Sequence, residues 1–131
     1  MRLADIERFV GMPYDADAFD CADLVAKVQL ELFGRHVSMP SRRPRGIRGA
    51  EQLGELSKPY AKHREGPPED GDLVLMFDHG QRNPGHAGVF FFLAHEQWVL
   101  HSNESNGCAV LHRLRDLQGF GLRVEGIYEW V

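Results

Sequence analysis

The spacing of apolar residues changes once along this chain, and that change limits the folds open to it. Between Cys21 and Phe33 the positions Cys21, Leu24, Val25, Val28 and Leu32 recur every three or four residues, which is one face of a helix. Asp20 is a suitable N-cap, Asp23 adds a carboxylate to the first turn, and Gly34 supplies a stop. Upstream, Leu3, Ile6, Phe9 and Val10 share a face of a shorter helix that Gly11 can end. After Gly71 the pattern becomes strand-like. Strands are expected at Asp72–Phe77, His86–Leu93, Gln97–Ser102, Cys108–Leu114 and Leu122–Val131, with Asn106-Gly107 as a hairpin turn. Helices first and an antiparallel meander after them predict an α+β domain with about five strands.

The middle of the chain is less patterned. Ser41–Arg48 is expected as a basic, solvated loop, Ala50–Leu56 as a short helix weakened by Gly54, and Gly66–Gly71 as a long turn before the sheet. Phe90, Phe91 and Phe92 break strict alternation, so their strand is expected to be buried on both faces.

Composition narrows the function classes. The chain has 131 residues, 43% of them hydrophobic, with a net charge of -4. That length and hydrophobic content suit one domain over 1–131 with its own core. The negative balance disfavours a general nucleic-acid binder. No apolar run is long enough to cross a membrane. Asp5, Glu7 and Arg8 interrupt the N-terminus, so no signal peptide is expected and synthesis is read as cytoplasmic. Two cysteines, Cys21 and Cys108, are too few for a disulfide scaffold.

The chemistry centres on Cys21. It falls in the first turn of a helix, where unpaired N–H groups and the helix dipole favour a thiolate. The alternative is a small buried hydrophobe on the apolar face. Cys108, after the Asn-Gly turn, is read as structural. A thiolate nucleophile needs a base, and the base needs an orienter. Of seven histidines, His36, His63, His79, His95 and His112 are read as loop or surface residues beside charged neighbours. His86 and His101 differ, because each ends an apolar strand and the two strands are consecutive. A turn near Ala94 brings their rings together if the register sets them on one face, and Gly88 removes bulk beside them. Asn103 is a second choice of orienter. Zinc binding by Cys21, His86 and His101 is also open, although no close ligand pair of the CxxC or HxxxH type is present.

Five segments in order then carry a family resemblance. They are Met12-Pro13-Tyr14, Phe19-Asp20-Cys21-Ala22-Asp23-Leu24-Val25, Gly71-Asp72-Leu73-Val74, His86-Ala87-Gly88-Val89 and Val99-Leu100-His101-Ser102. Together they resemble the NlpC/P60 cysteine peptidases, papain-like enzymes of bacteria and phages that cleave peptide bonds in peptidoglycan. The resemblance implies a papain-like α+β fold and no metal or other cofactor. It implies Cys21 as nucleophile, His86 as general base, His101 as orienter and Tyr14 as an oxyanion or substrate contact. Ala22-Asp23 stands where the family usually has Ser-Gly. The implied substrate is a peptidoglycan stem peptide or muropeptide. The short length and the ending Gly126-Ile127-Tyr128-Glu129-Trp130 resemble small prophage members associated with tail proteins. That implies virion or tail association and action in the periplasm. The alternative function is a phage tail assembly protein with a papain-like fold and little or no hydrolase activity.

Overall fold

A computed structural model describes residues 1–37, 61–82 and 84–131. Two α-helices come first, α1 at Leu3–Glu7 and α2 at Cys21–Phe33. Strands follow at Ala61–His63 (β1), Leu73–Asp78 (β2), His86–Leu93 (β3), Glu96–Ser102 (β4) and Ala109–Arg113 (β5). A 3-10 helix, η1 at Leu114–Phe120, leads into β6 at Leu122–Trp130. The strands form one antiparallel sheet in the order β1-β6-β2-β3-β4-β5. The α+β class is as expected, with six strands among the described residues where the sequence pattern predicts five. The extra one, β1, is three residues long and pairs with the end of β6. It is too short to show alternation in sequence. The expected basic loop and the Ala50–Leu56 helix lie outside the described residues.

The capping of α2 follows its sequence. The Asp20 carboxylate accepts from the Asp23 backbone N–H at 3.0 Å, and the Asp23 carboxylate accepts from the Asp20 N–H at 2.9 Å. Gly34 closes the helix in the left-handed conformation at φ 63°, where glycine has no Cβ penalty. The first helix is shorter than its apolar pattern predicts. It ends at Glu7; Ile6 and Phe9 are buried, whereas Leu3 and Val10 are exposed. Five residues make barely more than a turn, so tertiary contacts decide which apolar side chains are covered.

Strand alternation divides the core into two layers. Leu24, Val25 and Val28 of α2 pack on Ala87, Val89 and Phe91 of β3. On the other face Val74, Met76, Phe90 and Val99 pack with Leu117 of η1 and Leu122. The central strand β3 is thus buried on both faces, with Phe92 the exposed exception. Helix and sheet are also tied by hydrogen bonds at Gly71. Its carbonyl accepts from Gln29 Nε2 at 2.8 Å and from Trp130 Nε1 at 2.9 Å. Gly71 has φ 94°, and a Cβ there would lie 2.8 Å from the Phe33 ring. Beside it, Asp72 takes a two-pronged contact from Arg64, at 2.9 Å to Nε and 2.7 Å to Nη2. Planar pairing of this kind holds a carboxylate in one orientation.

The β3–β4 hairpin has a two-residue loop, with Leu93 opposite Glu96. Ala94 and His95 both have positive φ, 50° and 64°, which is the pattern of a type I′ turn. Neither is the Asn or Gly that such turns favour, and a left-handed L-residue costs roughly 1–2 kcal/mol. The double substitution Ala94→Asn with His95→Gly is expected to raise unfolding free energy by about 1 kcal/mol, after glycine's entropic cost. Urea denaturation checks this, with a higher midpoint at unchanged slope as the expected result.

Candidate active site

The register that this turn sets decides where the histidines go. Gly88 lies opposite His101, and Phe90 opposite Val99. His86 and Gly88 share a face by alternation, so His86 and His101 emerge on the same side. Their rings meet directly: His86 Nε2 lies 2.9 Å from His101 Nδ1, with the ring planes 83° apart. Gly88 makes room for this. A Cβ there would lie 2.6 Å from Val99 Cγ1 and 2.9 Å from the Leu100 carbonyl oxygen.

A third ring extends the pair. His101 Nε2 lies 3.0 Å from His112 Nδ1, and His112 stacks on Phe120 at 3.9 Å with planes 5° apart. The sequence reading puts His112 at the surface. It lies partly buried in β5, within the strand expected there, opposite Val99 and therefore on the histidine face. The signal for this is the hairpin at Asn106-Gly107, whose register carries position 112 to that face. His63, also read as a loop residue, lies in β1 opposite Tyr128, and the two ring centres are 4.3 Å apart.

Electrostatics keep the row of imidazoles neutral. Burial lowers the pKa of His86 to about 4, against the raising influence of the Asp78 and Asp20 carboxylates. Burial lowers His101 further, to about 2, with the neighbouring His86 and His112 adding to it. His112 is also lowered by its partial burial, opposed by Asp116. A neutral imidazole carries one ring hydrogen. His101 therefore donates at one nitrogen and accepts at the other, so the two bonds run in a common direction.

The remaining sequence-chosen residues collect at the same end of the sheet. The chain before α2 is bonded to the entrance of β5: Gly11 N–H donates to the Ala109 carbonyl at 2.8 Å, and Ala109 N–H to the Met12 carbonyl at 2.8 Å. Tyr14 N–H donates to the Gly107 carbonyl at 3.0 Å. The entrance of β5 lies beside the exit of β4, where Ser102 faces Ala109, next to His101. Tyr14 is half-buried there. Cys21, the first residue of α2, is buried in the layer that includes Ala87 and Ala109. Its neighbour Asp20 acts electrostatically on His86, as noted above. The α2 layer and the row of histidines lie on opposite faces, and the first residues of α2 and of β3 are at a common end.

Asn103 lies in the β4–β5 turn. Its Oδ1 accepts from the Asn106 backbone N–H at 2.9 Å and from Asn106 Nδ2 at 2.7 Å, holding the β4–β5 turn. Cys108 forms an isolated bridge with Pro13, and the strand expected to start at Cys108 starts at Ala109. Among the described residues no cluster of His, Cys, Asp or Glu is arranged to hold a metal ion. His101 has both ring nitrogens committed to other rings, so the three imidazoles do not converge on one centre. Two clefts in the described structure are lined by other residues. One is apolar, about 350 Å³, between Met1, Leu3, Leu93 and Trp98. The other surrounds Arg64 and Asp72. Comparison with protein-family models, curated proteins and solved structures finds no match.

The buried neutral histidines tie stability to pH. Their folded pKa values lie below the ordinary value, so below about pH 6.5 the unfolded chain binds protons that the folded chain does not. Stability therefore falls as pH falls. Between pH 7 and pH 5 the loss is expected to be about 2 kcal/mol for each of His86 and His101. Chemical denaturation at the two pH values measures it, and equal stabilities would show that these rings are not held neutral. Gly88→Ala is expected to cost roughly 1–3 kcal/mol by overpacking, measured the same way at pH 7.

Proposed function

We propose that the chain is a cysteine peptidase of the papain-like NlpC/P60 type, acting on amide bonds of peptidoglycan stem peptides. The observation that carries this reading is the 2.9 Å contact between His86 and His101. These are two of the residues that the family resemblance picked as base and orienter, and they stand 15 residues apart in sequence. The helix opening with Cys21 begins at the same end of the sheet, which supports the thiol as their partner.

The contact between the rings supports one choice of atoms. His86 Nε2 faces His101, which leaves Nδ1 as the nitrogen for proton transfer with Cys21. Sγ of Cys21 attacks the amide carbonyl carbon while its proton passes to His86 Nδ1. A carbon–sulfur bond forms and the carbonyl oxygen takes the negative charge. The backbone N–H of Cys21, at the N-terminal end of α2, and the Tyr14 hydroxyl are the proposed donors to that oxygen. Collapse breaks the carbon–nitrogen bond, and the proton on His86 goes to the leaving amine. Water then attacks the thioester carbonyl carbon and gives a proton to His86; the carbon–sulfur bond breaks, the carboxylic acid leaves, and His86 returns the proton to the sulfur.

The resting state follows from the same burial. A histidine whose pKa is pushed down to about 4 is neutral at pH 7 and has a lone pair with which to accept a proton. It must be unprotonated to accept the thiol proton. Activity is therefore lost as pH falls through its pKa, and the acid limb of kcat/KM is expected below the ordinary imidazole range. Incubation with defined stem peptides, read by mass spectrometry, tests the function. The wild-type chain is expected to release products, and Cys21→Ala to remain folded and release none. Equal cleavage by the two would refute the assignment. Removal of the base in His86→Ala is expected to lower kcat by about 10²–10⁴-fold.

A further inference from the structure

We propose that His112 is a positioning residue for this site: by accepting the Nε2–H of His101 it fixes the tautomer that lets His101 accept from His86 and leaves Nδ1 of His86 bare. The inference rests on the peptidase reading for its consequence, and on the hydrogen-bonded row of rings for its geometry.

The row admits two directions. In one, His112 Nδ1–H donates to His101 Nε2, and His101 Nδ1–H donates to His86 Nε2. His86 then carries its own hydrogen on Nδ1 and has no lone pair there to receive a thiol proton. In the other, His86 Nε2–H donates to His101 Nδ1, and His101 Nε2–H donates to His112 Nδ1. Every ring then has its hydrogen on Nε2, and Nδ1 of His86 is a base. Only the second direction suits the chemistry. The choice is made at the far end, because two rings alone fix neither direction.

Two features of the structure hold that end. Phe120 lies flat against His112 at 3.9 Å, which sets the plane of the ring and aims Nδ1 at His101. His112 is only partly buried, so a hydrogen on its Nε2 keeps access to polar surroundings. The Asp116 carboxylate, on the adjoining η1, opposes the lowering of the His112 pKa by burial and does not select between its neutral tautomers. The groups facing the row from other elements are Asp78 and His79 at the end of β2 and Asp20 at the start of α2, all of which act on His86.

The test uses the full chain with Cys108→Ser, so that Cys21 is its only thiol. His112→Phe keeps a ring for Phe120 to stack on and removes the acceptor. His112→Asn puts an amide oxygen close to where Nδ1 lay and restores it. Nitrogen-15 NMR reads the tautomer of His101 at pH 7. It is expected as Nε2–H in the parent and in His112→Asn, with that preference lost in His112→Phe. Alkylation of Cys21 by iodoacetamide across pH 5–9 is expected to slow about tenfold in His112→Phe and to recover in His112→Asn. Stem-peptide hydrolysis is expected to lose kcat by a similar factor with KM little changed.

Nδ1–H on His101 in the parent would overturn the proposal. So would equal alkylation rates in the parent and His112→Phe, or equal loss in the Phe and Asn variants. If His112→Phe does not fold, the parent's tautomer and the His112→Asn rates decide alone. The tautomer and alkylation measurements need no substrate. A parent that cleaves no stem peptide but shows the expected tautomer and alkylation pattern sinks the peptidase reading and upholds the role of His112. Normal cleavage by His112→Phe sinks the role of His112 and leaves the peptidase reading standing.

Discussion

The two-residue turn between β3 and β4 is the constraint on which the site depends. A loop of that length, closing Leu93 onto Glu96, allows one register for the strands it joins. That register sets Gly88 against His101 and puts His86 and His101 on one face. A slip by a single residue would send one ring to the α2 layer and leave the other behind. The turn achieves this with Ala94 and His95 in left-handed conformations, so the local sequence works against it. The pairing of β3 between β2 and β4 and its apolar burial on both faces supply what the turn residues lack. Tertiary packing overrides local preference here, and the site inherits its alignment from the sheet.

Burial gives the same rings their chemical character. Two imidazoles removed from water lose affinity for a second proton, and their hydrogen bonds run to other rings, which carry no charge to restore it. Asp20 and Asp78 act on His86 through space. Asp20 therefore has two effects from one position. Its carboxylate closes the first turn of α2 through the Asp23 N–H, and its charge favours the protonated form of His86. A cap residue at this place contributes to helix stability and to the field at His86 together.

Much of this arrangement is legible in the sequence, and what escapes it has physical causes. The cap and stop of α2 can be read because Asp20, Asp23 and Gly34 act locally. The meeting of His86 and His101 can be read because alternation and a short turn fix a hairpin's geometry. His112 escapes because it stands beside Arg113, with Asp116 near, and charged neighbours suggest solvent. Strand alternation places Arg113 on the opposite face, so that neighbour carries no information about the ring. The short strand β1 escapes because its partner, the end of β6, lies at the far end of the chain, and such pairing leaves no periodic trace. Gln29 looks like a polar position on an apolar helix; its bond to the Gly71 carbonyl depends on a residue that only the fold brings near.

The row of three rings also explains how an imidazole can be buried without an orphaned donor. Had the row ended at His101, its second nitrogen would face the interior with no partner. A buried donor left in that state costs about 1–3 kcal/mol. His112 accepts that hydrogen, and because it is only partly buried its own remaining hydrogen need not be. The row thus passes the unsatisfied group outward by one strand at each step, from β3 to β4 to β5, until it reaches the edge of the sheet. Three adjacent strands each give one histidine to the same face, and both ring nitrogens of the central one, His101, are hydrogen-bonded to its neighbours.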